Sequence, residues 1–140
     1  MSIPVWVLLA FAGWTILTLT TTVGLYRWGH ILTGRASIAE WNPDVPQGSD
    51  WYRRAMRAHM NCVENLPVYG AIVVAIIASG ASGPALDSLA LVLITARVLQ
   101  TVLHVSATPT EFTAALRFAF FFAQLACMLA MGVIVAMQSA

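Results

Sequence analysis

Seven arginines, six carboxylates and three histidines are the charged or proton-exchanging groups of this chain, and several are spaced to act together. The densest stretch is Arg53-Arg54-Ala55-Met56-Arg57-Ala58-His59-Met60-Asn61-Cys62-Val63-Glu64-Asn65-Leu66-Pro67. On a helix with ~100° per residue and Arg54 at zero, Arg57 falls near −60°, Asn61 near −20°, Glu64 near −80° and Asn65 near +20°. These five polar groups share an arc of about 100° and climb ~16 Å along the axis. His59 lies off that arc, near ~+140°. A second, smaller constellation is Arg97, Gln100, Thr101 and His104. With Arg97 at zero these fall within about 60° of it on either side. The two polar faces are expected to meet inside a helical bundle.

Guanidinium groups grip carboxylates through paired hydrogen bonds. A carboxylate with neighbouring amides suits an ammonium group. A ligand with two carboxylates, one amine and several amides would satisfy the whole set. Glutathione is one such molecule and other acidic peptides are others; the side chains alone do not choose among them. Other readings stand beside this one. Glu64 can pair structurally with an arginine of the third or fourth helix. His59 can serve helix packing, and His104 can cap a helix end. Arg53 suits an interfacial anchor whose charge reaches the water.

The elements that must position these groups are set by composition. Of 140 residues, 59% are hydrophobic and only 9% charged. An average soluble domain is ~45–50% apolar and ~25% charged. Too few charges remain to cover a water-facing surface, which excludes disorder and a basic nucleic-acid surface. An integral membrane protein is the class left. A helical span takes ~20 apolar residues, and the chain holds four such runs, at about 4–26, 56–79, 85–105 and 113–137. They predict a single all-α domain over 1–140, an integral membrane four-helix bundle. Gly34 to Ser49, with Pro43, Asp44 and Pro46, reads as a polar loop, and Ser49 or Asp50 as the cap of the second helix. Pro67 predicts a kink within that helix. Gly80 to Pro84 is a tight turn, and Thr108-Pro109 marks a short loop before the fourth helix. Cys62 and Cys127 lie in apolar runs without metal-type spacing, so no metal site is expected and both read as small buried hydrophobes.

Arg27, Arg35, Arg53, Arg54 and Arg57 all flank the first loop, and neither chain end carries a cation of this kind. The excess of arginine predicts that the first loop is cytoplasmic and both termini lie on the opposite side. Charge inside a span is costly and asks for a reason. Glu64, Arg97 and Arg117 are the three such residues, all expected in the cytoplasmic half.

The pattern Arg54-x-x-Arg57-Ala58-His59-x-Asn61-x-x-Glu64-Asn65-x-Pro67 resembles the signature of the MAPEG superfamily, the membrane-associated proteins in eicosanoid and glutathione metabolism. The stretch Arg97-Val98-Leu99-Gln100-Thr101-Val102-Leu103-His104 is similar to that family's second motif. The resemblance runs along the whole chain and implies a homotrimer with glutathione, as co-substrate, bound between neighbouring subunits near the cytoplasmic face. It implies that Arg57, His59, Asn61 and Glu64 bind or support glutathione. Arg54, Arg97 and Gln100 match further motif positions, and Arg27 resembles an arginine that reaches the tripeptide from the adjacent subunit. Two positions depart from the pattern. His104 stands where the glutathione-using enzymes carry tyrosine. Arg117 lies roughly one turn beyond the family's thiolate-stabilising arginine, ~5–6 Å deeper on the same helix face.

The function implied is a glutathione transferase acting on hydrophobic electrophiles, or a peroxidase acting on lipid hydroperoxides, with Arg117 and His104 as catalytic candidates. A non-catalytic lipid-binding or scaffold member of the family is the alternative, and it would not need Arg117. A small transporter with Glu64 as a proton carrier is disfavoured, because the surrounding arginines favour a fixed charge there. The expected partners are the lipid bilayer, glutathione, a hydrophobic small molecule and further copies of the chain, with no nucleic acid.

Overall fold

The structure is a computed structural model that describes residues 1–41 and 48–139. Pro43, Asp44 and Pro46 of the expected loop lie outside the described residues. Four long helices carry the described chain: α1 (Ile3–Leu32), α2 (Asp50–Ser79), α3 (Pro84–Ser106) and α4 (Glu111–Ser139). Each is long and apolar enough to cross a membrane.

The first helix outruns its apolar stretch. Hydropathy fades after Tyr26, yet α1 continues to Leu32 and stops only where Gly34 takes a left-handed backbone with φ 68°. A helix ends where the chain offers a stop, not where the hydrocarbon does. Between Leu19 and Gly24 the turns of α1 widen into a π-helix. Thr20, Thr21 and Thr22 each donate a hydroxyl to the carbonyl four residues back, at 3.0, 2.7 and 2.5 Å. Such bonds load the carbonyls that the main-chain ladder would use. A side chain at Gly24 would meet the Leu19 carbonyl at 3.2 Å, a tight approach that glycine avoids.

The remaining ends are fixed locally. Ser49 caps α2, its hydroxyl accepting from the Tyr52 N–H at 3.2 Å. Asp50 in the first turn complements the helix dipole and pairs with Arg53. The helix runs through Pro67 and stops at Gly80, left-handed at φ 69°. Pro84 opens α3 at a position where its missing N–H costs nothing. Thr110 and Thr113 cap the start of α4 reciprocally. The Gln138 side chain accepts from the Ser82 N–H at 3.1 Å and donates to the Ser82 carbonyl at 3.2 Å, tying the far end of α4 to the α2–α3 turn.

The apolar core fills the half of the bundle that holds the N-terminus and the α2–α3 turn. Val7 and Phe11 from α1, Tyr69, Val73 and Ile76 from α2, Leu86, Ala90 and Leu93 from α3, and Met128, Met131 and Val135 from α4 pack there. Tyr69 donates its hydroxyl to the Pro4 carbonyl at 3.0 Å, which satisfies the one polar group it buries. Cys62 and Cys127 are both reduced and buried.

Candidate functional site

The opposite half, where α1 and α3 end and α2 and α4 begin, holds the polar side chains. Asn61 of α2, Gln100 and His104 of α3, and Arg117 of α4 line one cavity of about 300 Å³, with Ala114, Phe118 and Phe121 as its apolar walls. A neighbouring cavity of about 380 Å³ is lined by Asp50, Arg53, Arg54, Arg57, Thr108 and Pro109. Arg53, Arg54 and Arg57 therefore line one cavity, and Arg117 with His104 lines the other, a chamber open at the subunit surface. The Arg54 Nε is buried and has no protein partner.

The expected meeting of the two polar faces is only partly realised. Asn61 meets Gln100 and His104, whereas Arg57 and Glu64 are exposed on the outer surface of the single subunit. The reason lies in the helical register. The buried face of α2 runs through Ala55, Ala58, Cys62, Asn65 and Tyr69. Those positions lie at ~+20° to +100° from Arg54. Arg57 and Glu64 sit at the other edge of the polar arc and turn outward. Asn65, at the inner edge, is buried and donates to the Asn61 carbonyl of its own helix at 2.7 Å. Glu64 joins no ion pair among the described residues; the one pair found is the exposed Arg53–Asp50 contact.

Arg97 departs furthest from the reading as a ligand group. It is fully buried, with its guanidinium carbon 5.4 Å from the centre of the Phe11 ring, and its Nε and Nη2 have no protein partner. Beside it on α3, Thr101 donates to the Arg97 carbonyl at 2.9 Å and lies 3.7 Å from the Cys62 sulfur. His59 is half-buried, and its Nδ1 has no partner.

Gln100 lines the cavity but is committed to the bundle. Its Nε2 donates to the Arg117 carbonyl at 3.1 Å, and its Oε1 accepts from Gln124 Nε2 at 3.0 Å. Sequence reasoning did not single out Gln124. Its signal was a lone amide in the apolar stretch of α4, seven residues after Arg117 and so on the same face.

Arg27 is held within its own subunit by an aromatic cluster. Its Nε donates to the Tyr52 hydroxyl at 2.6 Å, and its guanidinium carbon lies 5.4 Å from the centre of Trp41 and 5.8 Å from that of Tyr52. Tyr26 stacks on Tyr52 at 4.5 Å and on His30 at 4.3 Å. Tyr26 and Tyr52 thereby join α1 to the start of α2. A side chain at Gly48, where φ is 116°, would meet the Tyr26 hydroxyl and the Tyr52 ring at 3.1 Å, so the chain passes close over this cluster only because glycine is there.

Comparison with curated proteins and with solved structures returns no match. The family model described as MAPEG family matches residues 4–137, from the first turn of α1 to the last turns of α4. That match spans all four apolar helices and every polar residue of both cavities, and the chain belongs to the MAPEG family, as an integral, multi-pass membrane protein.

Proposed function

We propose that this protein is a glutathione-binding transferase of the membrane, assembled as a homotrimer, that conjugates hydrophobic electrophiles. Family membership places it among membrane proteins of glutathione and eicosanoid metabolism. The observation that carries the finer reading is the pairing of an outward-facing Arg57 and Glu64 with a chamber holding Arg117 and His104. A carboxylate and a guanidinium turned outward from a membrane helix need polar cover. A neighbouring subunit with a zwitterionic peptide between the two surfaces supplies it. In this reading Arg57 and Arg54 meet carboxylates, Glu64 meets the ammonium and Asn61 an amide. The five arginines beside the first loop favour a cytoplasmic location for that site, where the tripeptide enters from water.

The chemistry asks for a thiolate. A free thiol has a pKa of about 8.5, so little is ionised at neutral pH. Arg117 stabilises the anion through a charge-assisted bond once the proton has left to solvent. The sulfur then forms a bond to an electrophilic carbon, and a leaving group departs with its electron pair. Phe118 and Phe121 hold the apolar part of the electrophile beside Arg117. With a lipid hydroperoxide the same thiolate attacks the peroxide; two glutathiones become the disulfide while the lipid alcohol and water are released.

Calorimetric titration of the detergent-purified trimer with glutathione tests the binding reading. Saturable binding, weakened in the Glu64→Gln variant, is expected. Absence of heat across millimolar glutathione, on the order of its cellular range, with the trimer intact would overturn the reading.

A further inference from the structure

The structure assigns to Gln124 the role of positioning residue for Arg117, an inference that rests on the glutathione reading above. Gln124 is 1% exposed and Gln100 4%, and the other buried α4 side chains, Cys127, Met128, Met131 and Val135, are apolar. Gln124 Nε2 donates twice, to Gln100 Oε1 at 3.0 Å and to the Phe120 carbonyl of its own helix at 2.7 Å. Two acceptors on that one nitrogen fix which way the Gln124 amide faces. The Gln100 amide is thereby fixed too, because its oxygen must face Gln124. Its nitrogen is left to donate to the Arg117 carbonyl at 3.1 Å.

This relay runs from α4 to α3 and back to α4, seven residues apart on the same helix. It sets the height of the first turns of α4 against α3, and with it the depth at which Arg117 stands beside His104 in the chamber. The relay is not an economical way to hold two helices together. Gln124 Oε1 is buried with no partner, and a matched apolar pair would bury no such atom. A van der Waals contact would also leave α4 free to slide, whereas two directed bonds specify one register. Placement of the guanidinium matters because a misplacement of ~1 Å in a catalytic group can cost on the order of a hundredfold in rate.

The test is Gln124→Met in the full-length trimer. This change keeps the volume and removes both donors. Conjugation of a chloroarene should fall roughly ten- to a hundredfold in kcat while KM for glutathione stays within about twofold. In an Arg117→Ala background the same change should cause no further loss. Losses that multiply, or a KM that rises with kcat unchanged, would overturn the role. Where Gln124→Met alone fails to assemble, the double variant Gln100→Leu with Gln124→Leu removes the relay without stranding either amide. A second readout is independent of turnover. In Arg117→Cys protein, the rate of maleimide labelling should change when Gln124→Met is added. Labelling that changes in a protein without conjugation would retain the positioning role and remove the glutathione reading. Unchanged labelling together with an unchanged rate would remove the positioning role alone.

Discussion

The two halves of this bundle are made of different chemistry. Toward the N-terminus and the α2–α3 turn the buried contacts are aliphatic, aromatic and sulfur-bearing, and the buried Tyr69 hydroxyl has its partner at Pro4. Toward the first loop the buried and half-buried groups include Arg54, Asn61, Gln100, His104 and Arg117, and the buried Arg54 Nε has no protein partner. Side chains that line a cavity forgo packing contacts on that side, so the second half adds less to holding the fold together. The fold is held by the apolar half, which leaves the other half free to carry recognition and chemistry.

That division can be broken by substitution. The largest effect is expected in the apolar half. Leu93 is 1% exposed, and Leu93→Ala should cost ~2–5 kcal/mol of stability in detergent, with glutathione affinity unchanged in the fraction that stays assembled. Next come Arg57→Ala and Glu64→Gln. On the proposed reading each removes a charge-assisted bond to the peptide and should weaken glutathione binding by ~1.5–3 kcal/mol, with thermal stability retained. Calorimetry beside a melting curve separates the two quantities; a loss of melting temperature matching the loss of affinity would show that the outward charges are structural. Tyr69→Phe removes a single buried hydroxyl and should cost about 1 kcal/mol in melting experiments without touching binding. Smallest is Arg53→Ala. Its pair with Asp50 is exposed and screened by water, so its loss should leave both stability and glutathione affinity in place.

The apolar half was the more legible in the sequence. Four hydrophobic runs, Gly80 and Pro84 at a turn, and Ser49 before a polar first turn are local signals, and local signals set helix existence and ends. The end of α1 was not legible from hydropathy, because Gly34 and not the hydrocarbon edge stops it. In the polar half, the side-chain types and spacing identified the family and singled out Asn61, Gln100, His104 and Arg117, which the fold brings to one cavity. They did not give the orientation of α2. An arc of about 100° is wider than the strip one neighbouring helix can cover, so which edge faced inward depended on Ala55, Ala58 and Cys62 beside it. Small residues there let α2 pack closely, and they turned Arg57 and Glu64 out. The relay through Gln100 and Gln124 and the aromatic seat of Arg27 depend on contacts between helices distant in sequence, which no spacing along one helix encodes.

The claim at the centre of the account is that Arg117, in the chamber with His104, activates the thiol of bound glutathione. Ultraviolet difference absorbance measures it directly, because a thiolate absorbs where a thiol does not. Glutathione added at neutral pH to the wild-type protein in detergent should give a thiolate band that saturates with binding. Arg117→Ala, folded and with near-normal affinity, should bind without the band and lose conjugation with it. A variant that binds glutathione and keeps the thiolate band would contradict the account, and Arg117 would then be no more than a charge balancing Glu64 or Glu111.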